Sequence, residues 1–171
     1  MKIILYIVGF FILSSWLEIP KGYEKKIDKE VLAIFEIQKF DKQVMEFDEE
    51  SLSKFSTSFD PSSFFVISNG ENRLGYFYFG KARSKADDFD YVVIFDQELI
   101  VKKIKILAYR EDYGGEITSK RWLRQFAGLT GVDQINYGSD IKAISGATIS
   151  AVSMTDAVNE LLKNVAYIQT E

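Results

Sequence analysis

The sequence predicts an α+β domain, an antiparallel sheet flanked by helices, carried behind an N-terminal membrane anchor or signal segment. Three observations predict it. Aromatic and β-branched runs separated by turn residues fill the middle of the chain, at 64–67, 74–79, 91–95 and 100–108. A stripe of apolar residues at helical spacing fills the C-terminal segment from Ala151 onward. Residues 3–17 hold no charge at all.

From the N-terminus, Lys2 precedes the apolar run Ile3 to Leu17, and Pro20 and Lys21 close it. The run is shorter than the roughly 20 residues of an unambiguous spanning helix, and it has the basic and apolar regions of a secretory signal. Trp16, Leu17 and Glu18 after Ser14 and Ser15 make a poor small-residue cleavage site, which favours an uncleaved anchor over a cleaved signal. A buried terminal element of the domain is the remaining reading. Either export reading puts the rest of the chain on the extracytoplasmic side of the cell membrane.

Ile27, Val31, Ile34 and Ile37 recur at three- and four-residue spacing between charges, which predicts a linker helix over 23–40. Val44, Met45 and Phe47 suit a short strand. Ser51-Leu52-Ser53-Lys54 has the Ser-x-x-Lys spacing of penicillin-binding enzymes, but no Lys-Thr-Gly partner follows, so it reads as a solvated helical turn. The organisation is therefore a signal or anchor at 1–20, a linker helix and extension at 21–63, and the main domain at 64–171.

Within that domain, 64–67 and 74–79 form one strand pair across a loop with the Asn69-Gly70 turn signal. Residues 91–95 and 100–108 form a second pair, turning at 96–98. Ile104 and Ile106 alternate with Lys103 and Lys105, as in a sheet with one wet face. The aromatic run Tyr76 to Phe79 reads as core and cross-strand packing. A polar turn, Tyr109 to Gly115, follows the sheet, and its paired glycines permit positive φ and close approach of another group. Thr118 or Ser119 caps a short helix whose Trp122, Leu123, Phe126 and Ala127 share an apolar face, and Gly128 ends it.

Composition limits the function. With 171 residues, 47% of them hydrophobic, the chain can bury one sizeable core. A net charge of −4 removes the basic face that a nucleic-acid binder needs. Zero histidines and zero cysteines remove Ser-His and Cys-His nucleophile pairs and the usual thiolate and imidazole metal sites, so any chemistry is borrowed from a cofactor.

The stretch that asks for a ligand is Ala143-Ile144-Ser145-Gly146-Ala147-Thr148-Ile149-Ser150. Ala151, Met154, Val158, Leu161 and Val165 mark the helix that follows it, with Asp156, Asn159, Glu160 and Lys163 facing out. Two small residues between hydroxyls at a helix start leave unpaired N–H groups accessible to a phosphate. An ordinary N-cap by Ser145 or Thr148 is the plainer reading.

Ser145-Gly146-Ala147-Thr148, followed by Ile149-Ser150 and an amphipathic C-terminal helix, resembles the signature of the FMN-binding domain family. Flavin subunits of the sodium-pumping quinone reductase and of the related ferredoxin-oxidising electron-transport complex are members. The likeness runs from about Leu74 to the C-terminus. It implies FMN joined through a phosphoester to Thr148, installed from FAD by a magnesium-dependent flavin transferase, with Ser145, Gly146 and Ala147 shaping the phosphate loop. Glu111-Asp112-Tyr113-Gly114 is similar to the family's Glu-Thr-x-Gly turn with the threonine replaced, which implies cofactor-binding roles for Glu111 and Gly114. Lys142 stands where the family usually has an aspartate, with Asp140 out of register. By resemblance, then, the chain is an extracytoplasmic flavoprotein that relays electrons among membrane redox partners; a non-redox binding module of the same fold, without covalent flavin, is the alternative.

Overall fold

A computed structural model describes residues 19–168, so the expected anchor or signal over 1–18 lies outside the described residues. Among those described, no helix is long and apolar enough to cross a membrane. In chain order the elements are α1 (Lys21–Phe35), β1 (Asp41–Val44), α2 (Glu49–Lys54), β2 (Phe64–Asn69), β3 (Asn72–Arg83), β4 (Asp88–Phe95), β5 (Val101–Ala108), α3 (Lys120–Leu123) and α4 (Thr148–Ile168). The five strands make one antiparallel sheet in sequential order, β1-β2-β3-β4-β5.

Strand alternation sends the apolar residues to two different cores. Tyr76, Tyr78, Tyr91, Val93, Phe95, Ile104 and Ile106 face the first, which α3, the turn after it (Arg124–Phe126) and α4 cover with Trp122, Phe126, Met154, Val158 and Leu162. Phe77, Phe79, Val92, Ile94 and Leu107 face the second, which α1 covers with Ile27 and Val31. The fold is thus a helix, a sheet and a helical layer. The aromatic run of β3 divides between the two faces, as core packing requires.

The 21–63 stretch contributes directly to this domain. Ile27 and Val31 are fully buried against the sheet, β1 pairs with β2, and Phe59 stacks on Tyr78 at 5.4 Å. The short strand ends at Val44, and Met45 and Phe47 instead pack beside the first core. Ser51 and Lys54 lie in α2, as a helical turn. Ser51 is buried, and its hydroxyl donates to Asp48 Oδ1 at 2.6 Å; Lys54 pairs with Glu50 at 2.8 Å.

Two further sequence expectations change. The first concerns strand length: β3 and β4 run on to Arg83 and from Asp88, forming a hairpin with Gly80 opposite Tyr91 and Ala82 opposite Phe89. Lys81, Arg83, Asp88 and Asp90 interrupt the apolar run there and hide the alternation. The second concerns the lysine face of β5. It is partly covered by α1: Glu30, 8% exposed, receives the ammonium groups of both Lys103 and Lys105. A helix face that buries a carboxylate opposite two strand lysines cannot be recognised from either element alone.

Burial acts to raise the pKa of the Glu30 carboxyl, but the two lysine contacts outweigh it and hold the value below the ordinary one. A depressed folded-state pKa stabilises above the unfolded value of about 4.3 and loses that stabilisation as pH falls through the folded value. We predict that Glu30→Ala lowers unfolding free energy at pH 7 by about 1–2 kcal/mol, a discounted buried-pair cost because both lysines are a third exposed. Urea unfolding should show the gap to wild type closing below about pH 4.

Candidate functional site

The 21 residues of α4 bury Ala151, Met154, Val158, Leu161, Leu162 and Val165, and this apolar stripe fixes where the N-terminus of the helix sits. Thr148 is the first helical residue. Ala147 precedes it, and its carbonyl accepts from Ala151 N at 2.9 Å. Alanine offers no side-chain oxygen to the first turn, and neither Ser145 nor Thr148 caps it. The backbone N–H groups of Thr148, Ile149 and Ser150 therefore have no hydrogen-bond partner among the described residues. Of the two readings of this stretch, the side-chain cap is not formed, and an uncapped first turn with its dipole remains.

The exposures follow a pattern. Ser145, Gly146, Thr148 and Ile149 are exposed, while Ala147 and Ser150 are buried. Gly146 has φ +78°, and a Cβ there would meet nothing within 4 Å, so this residue turns the chain and leaves open space above it. Ala147 points the other way, into the protein. A Cβ on Gly114 would lie 2.6 Å from Ala147 Cβ and 2.9 Å from the Gly146 carbonyl oxygen, and Gly114 itself has φ +78°. Gly114 is thus required twice, for its backbone conformation and for the contact.

Three tethers hold the segment that carries Gly114. Arg110 forms an ion pair with buried Asp90 and donates to the Asp88 carbonyl at 2.6 Å. Glu111 Oε1 accepts from the Ser84 hydroxyl, from Ala86 N at 2.7 Å and from Asp87 N at 3.3 Å, which ties it to the turn of the β3–β4 hairpin. The Ser84 hydroxyl, and then the backbone donors, keep the Glu111 carboxyl below its ordinary pKa, so it stays ionised. Tyr109 Oη and Ser150 Oγ lie 3.0 Å apart, joining the base of the same segment to the first turn of α4.

From the other side, Trp122 Nε1 donates to the Lys142 carbonyl at 2.8 Å, Lys142 N donates to Gln125 Oε1 at 2.9 Å, and Ile144 N donates to Tyr137 Oη at 3.3 Å. The approach to Ser145 is therefore clamped to the helix Lys120–Leu123 and its continuation, while the Lys142 residue is exposed. Asp140 is occupied elsewhere: its carboxylate accepts from Asn136 N at 2.8 Å.

Among the sequence-selected residues, Gly114, Gly146 and Ala147 come into direct contact, and Ser145 and Thr148 flank that contact. Glu111 organises the hairpin turn from the same segment. Sequence reasoning missed Ser84 and the hairpin amides that receive Glu111, because they belong to strand ends it did not extend. It also placed Asn159 on the outer face, whereas Asn159 accepts from Ile135 N at 2.9 Å and donates to its carbonyl at 2.7 Å.

Gly114→Ala and Gly146→Ala share the positive-φ strain, of order 1 kcal/mol, but only the first adds a backbone clash. Gly114→Ala should cost about 2–4 kcal/mol of unfolding free energy and Gly146→Ala about 1 kcal/mol, measured by urea denaturation; equal losses would refute the contact.

Residues 85–163 match the FMN-binding domain family. The match spans the hairpin turn, β4, β5, the 109–114 segment and the uncapped start of α4. No curated protein matches the chain.

Proposed function

From the FMN-binding domain that residues 85–163 match, we propose that this chain carries FMN covalently on Thr148 and relays electrons as an extracytoplasmic flavoprotein. The observation that carries the reading is the uncapped first turn of α4. Three unpartnered N–H groups and an exposed threonine hydroxyl stand where Gly146 leaves room for a phosphate. The residues present fit the group's phosphate end: the amides neutralise its charge, Ser145 offers a further hydroxyl, and the exposed Lys142 adds a cation to the approach.

Thr148 Oγ1 would hold FMN through a phosphoester formed from FAD with release of AMP, which would need a separate magnesium-dependent flavin transferase. The tether prevents loss of flavin in a compartment that supplies none. When bound, FMN provides one- and two-electron chemistry, which a chain without histidine or cysteine does not supply from its own side chains. The protein's contribution is to hold and orient: the Gly114–Ala147 contact sets the direction of Thr148, and the Arg110 and Glu111 tethers set the position of Gly114. The apolar run at residues 3–17 keeps the domain beside membrane donors and acceptors, raising their effective concentration.

Lys142 supports a second reading, a binding module of the same fold without covalent flavin, because the family's aspartate is missing there. Co-expression with a flavin transferase separates the two. Intact mass of wild type is expected to rise by one FMN less one water, Thr148→Val to stay unmodified, and Thr148→Ser to regain the adduct. An unmodified wild type beside a modified control substrate would overturn covalent attachment and favour the second reading.

A further inference from the structure

A groove of about 520 Å³ lies between β3 and α4. Its size is that of a small-molecule site. It is separate from the N-terminal turn of α4: at about 100° per residue, Ser153, Ala157, Glu160 and Asn164 stand roughly 120–180° around the helix from Thr148. No residue of 145–148 lines it.

Its floor contains an unused polar group. Tyr91 is 2% exposed and lines the groove, yet its hydroxyl has no hydrogen-bond partner among the described residues. No described side-chain oxygen is both sealed from solvent and unpaired, so this hydroxyl opens onto the groove. Its position is built into the sheet. Tyr91 stands opposite Gly80 on β3, and a Cβ on Gly80 would lie 2.5 Å from Tyr91 Cζ and 2.6 Å from its oxygen. Burial pushes the phenol far above its ordinary pKa, so it remains an O–H donor.

The walls and rim restrict what that donor can meet. Phe59 and Tyr78 line the groove, stacked on each other with planes 14° apart, and add aromatic surface to its wall. On the rim, Asp156 is exposed and unpaired among the described residues, Glu160 one turn on is paired with Lys163 at 2.5 Å, and Lys81 is exposed. Arg83, the nearby guanidinium, is paired with Asp88. A ring that fits accepts a hydrogen bond from Tyr91 at its inner end and donates one toward Asp156. A plain hydrocarbon leaves the phenol unpaired.

We propose that the β3–α4 groove is a binding site, distinct from Thr148, for a planar ring with a carbonyl at its inner end accepting from Tyr91 and an N–H at its outer end donating to Asp156. Lumazine, a bicyclic ring with such groups, is the probe, titrated calorimetrically into the full chain. Tyr91→Phe, which removes one oxygen with no partner to disturb, should bind it about tenfold more weakly at an unchanged melting temperature. Ala157→Leu, on the half-exposed side of α4, should block the groove and abolish binding. No binding to wild type at millimolar lumazine, or equal affinity in Tyr91→Phe, would overturn the proposal. Binding lost in Thr148→Ala and kept in Tyr91→Phe would assign the probe to the start of α4 and overturn it equally. The covalent reading is judged separately, by mass.

Discussion

The close approach of Gly114 to Ala147 is the constraint on which the candidate site rests. Two loops distant in sequence touch there at a separation that admits no side chain on one partner. Because Ala147 turns inward to make this contact, the residues on either side of it are directed outward, and the hydroxyl of Thr148 reaches solvent at the start of a long, deeply packed helix. The first turn of that helix stays uncapped because the capping position is taken by the alanine that makes the contact. A serine or aspartate there would satisfy the amides from within.

Such a contact keeps its geometry only if both loops are fixed from behind, and the fixing groups are charged. Buried Asp90 holds Arg110, and Tyr23 of α1 donates to the same carboxylate at 2.7 Å, so the second helical layer is linked to the loop through the sheet. Glu111 supplies an acceptor that the hairpin turn lacks. Pairing makes these burials tolerable. Along β5, the same device with Glu30 secures α1 to the sheet, and it explains why a stretch with the composition of a linker is part of the domain.

Function follows from what the chain does not contain as much as from what it does. Without histidine or cysteine, Glu111 and Arg110 of the site are engaged in holding backbone, and the groups left available are N–H donors, hydroxyls and the exposed Lys142. That inventory suits a cofactor's phosphate. The β3–α4 groove repeats the principle on the opposite flank of the same helix, where an unpaired phenol is the available donor.

Local pattern was enough to determine much of this from sequence. Aromatic and β-branched runs between turn residues marked strands β2 to β5, the three- and four-residue spacing marked α1 and α4, and Ser145 to Thr148 drew attention to the correct helix start. These are short-range signals, carried by residues that neighbour each other in the chain. Only the tertiary structure decided that neither hydroxyl caps α4, that Gly114 meets Ala147, that Glu30 faces Lys103 and Lys105, and that Tyr91 lies over Gly80. Each of these depends on side chains or backbone brought together across the sheet or between loops, and no periodicity in one segment encodes the position of another.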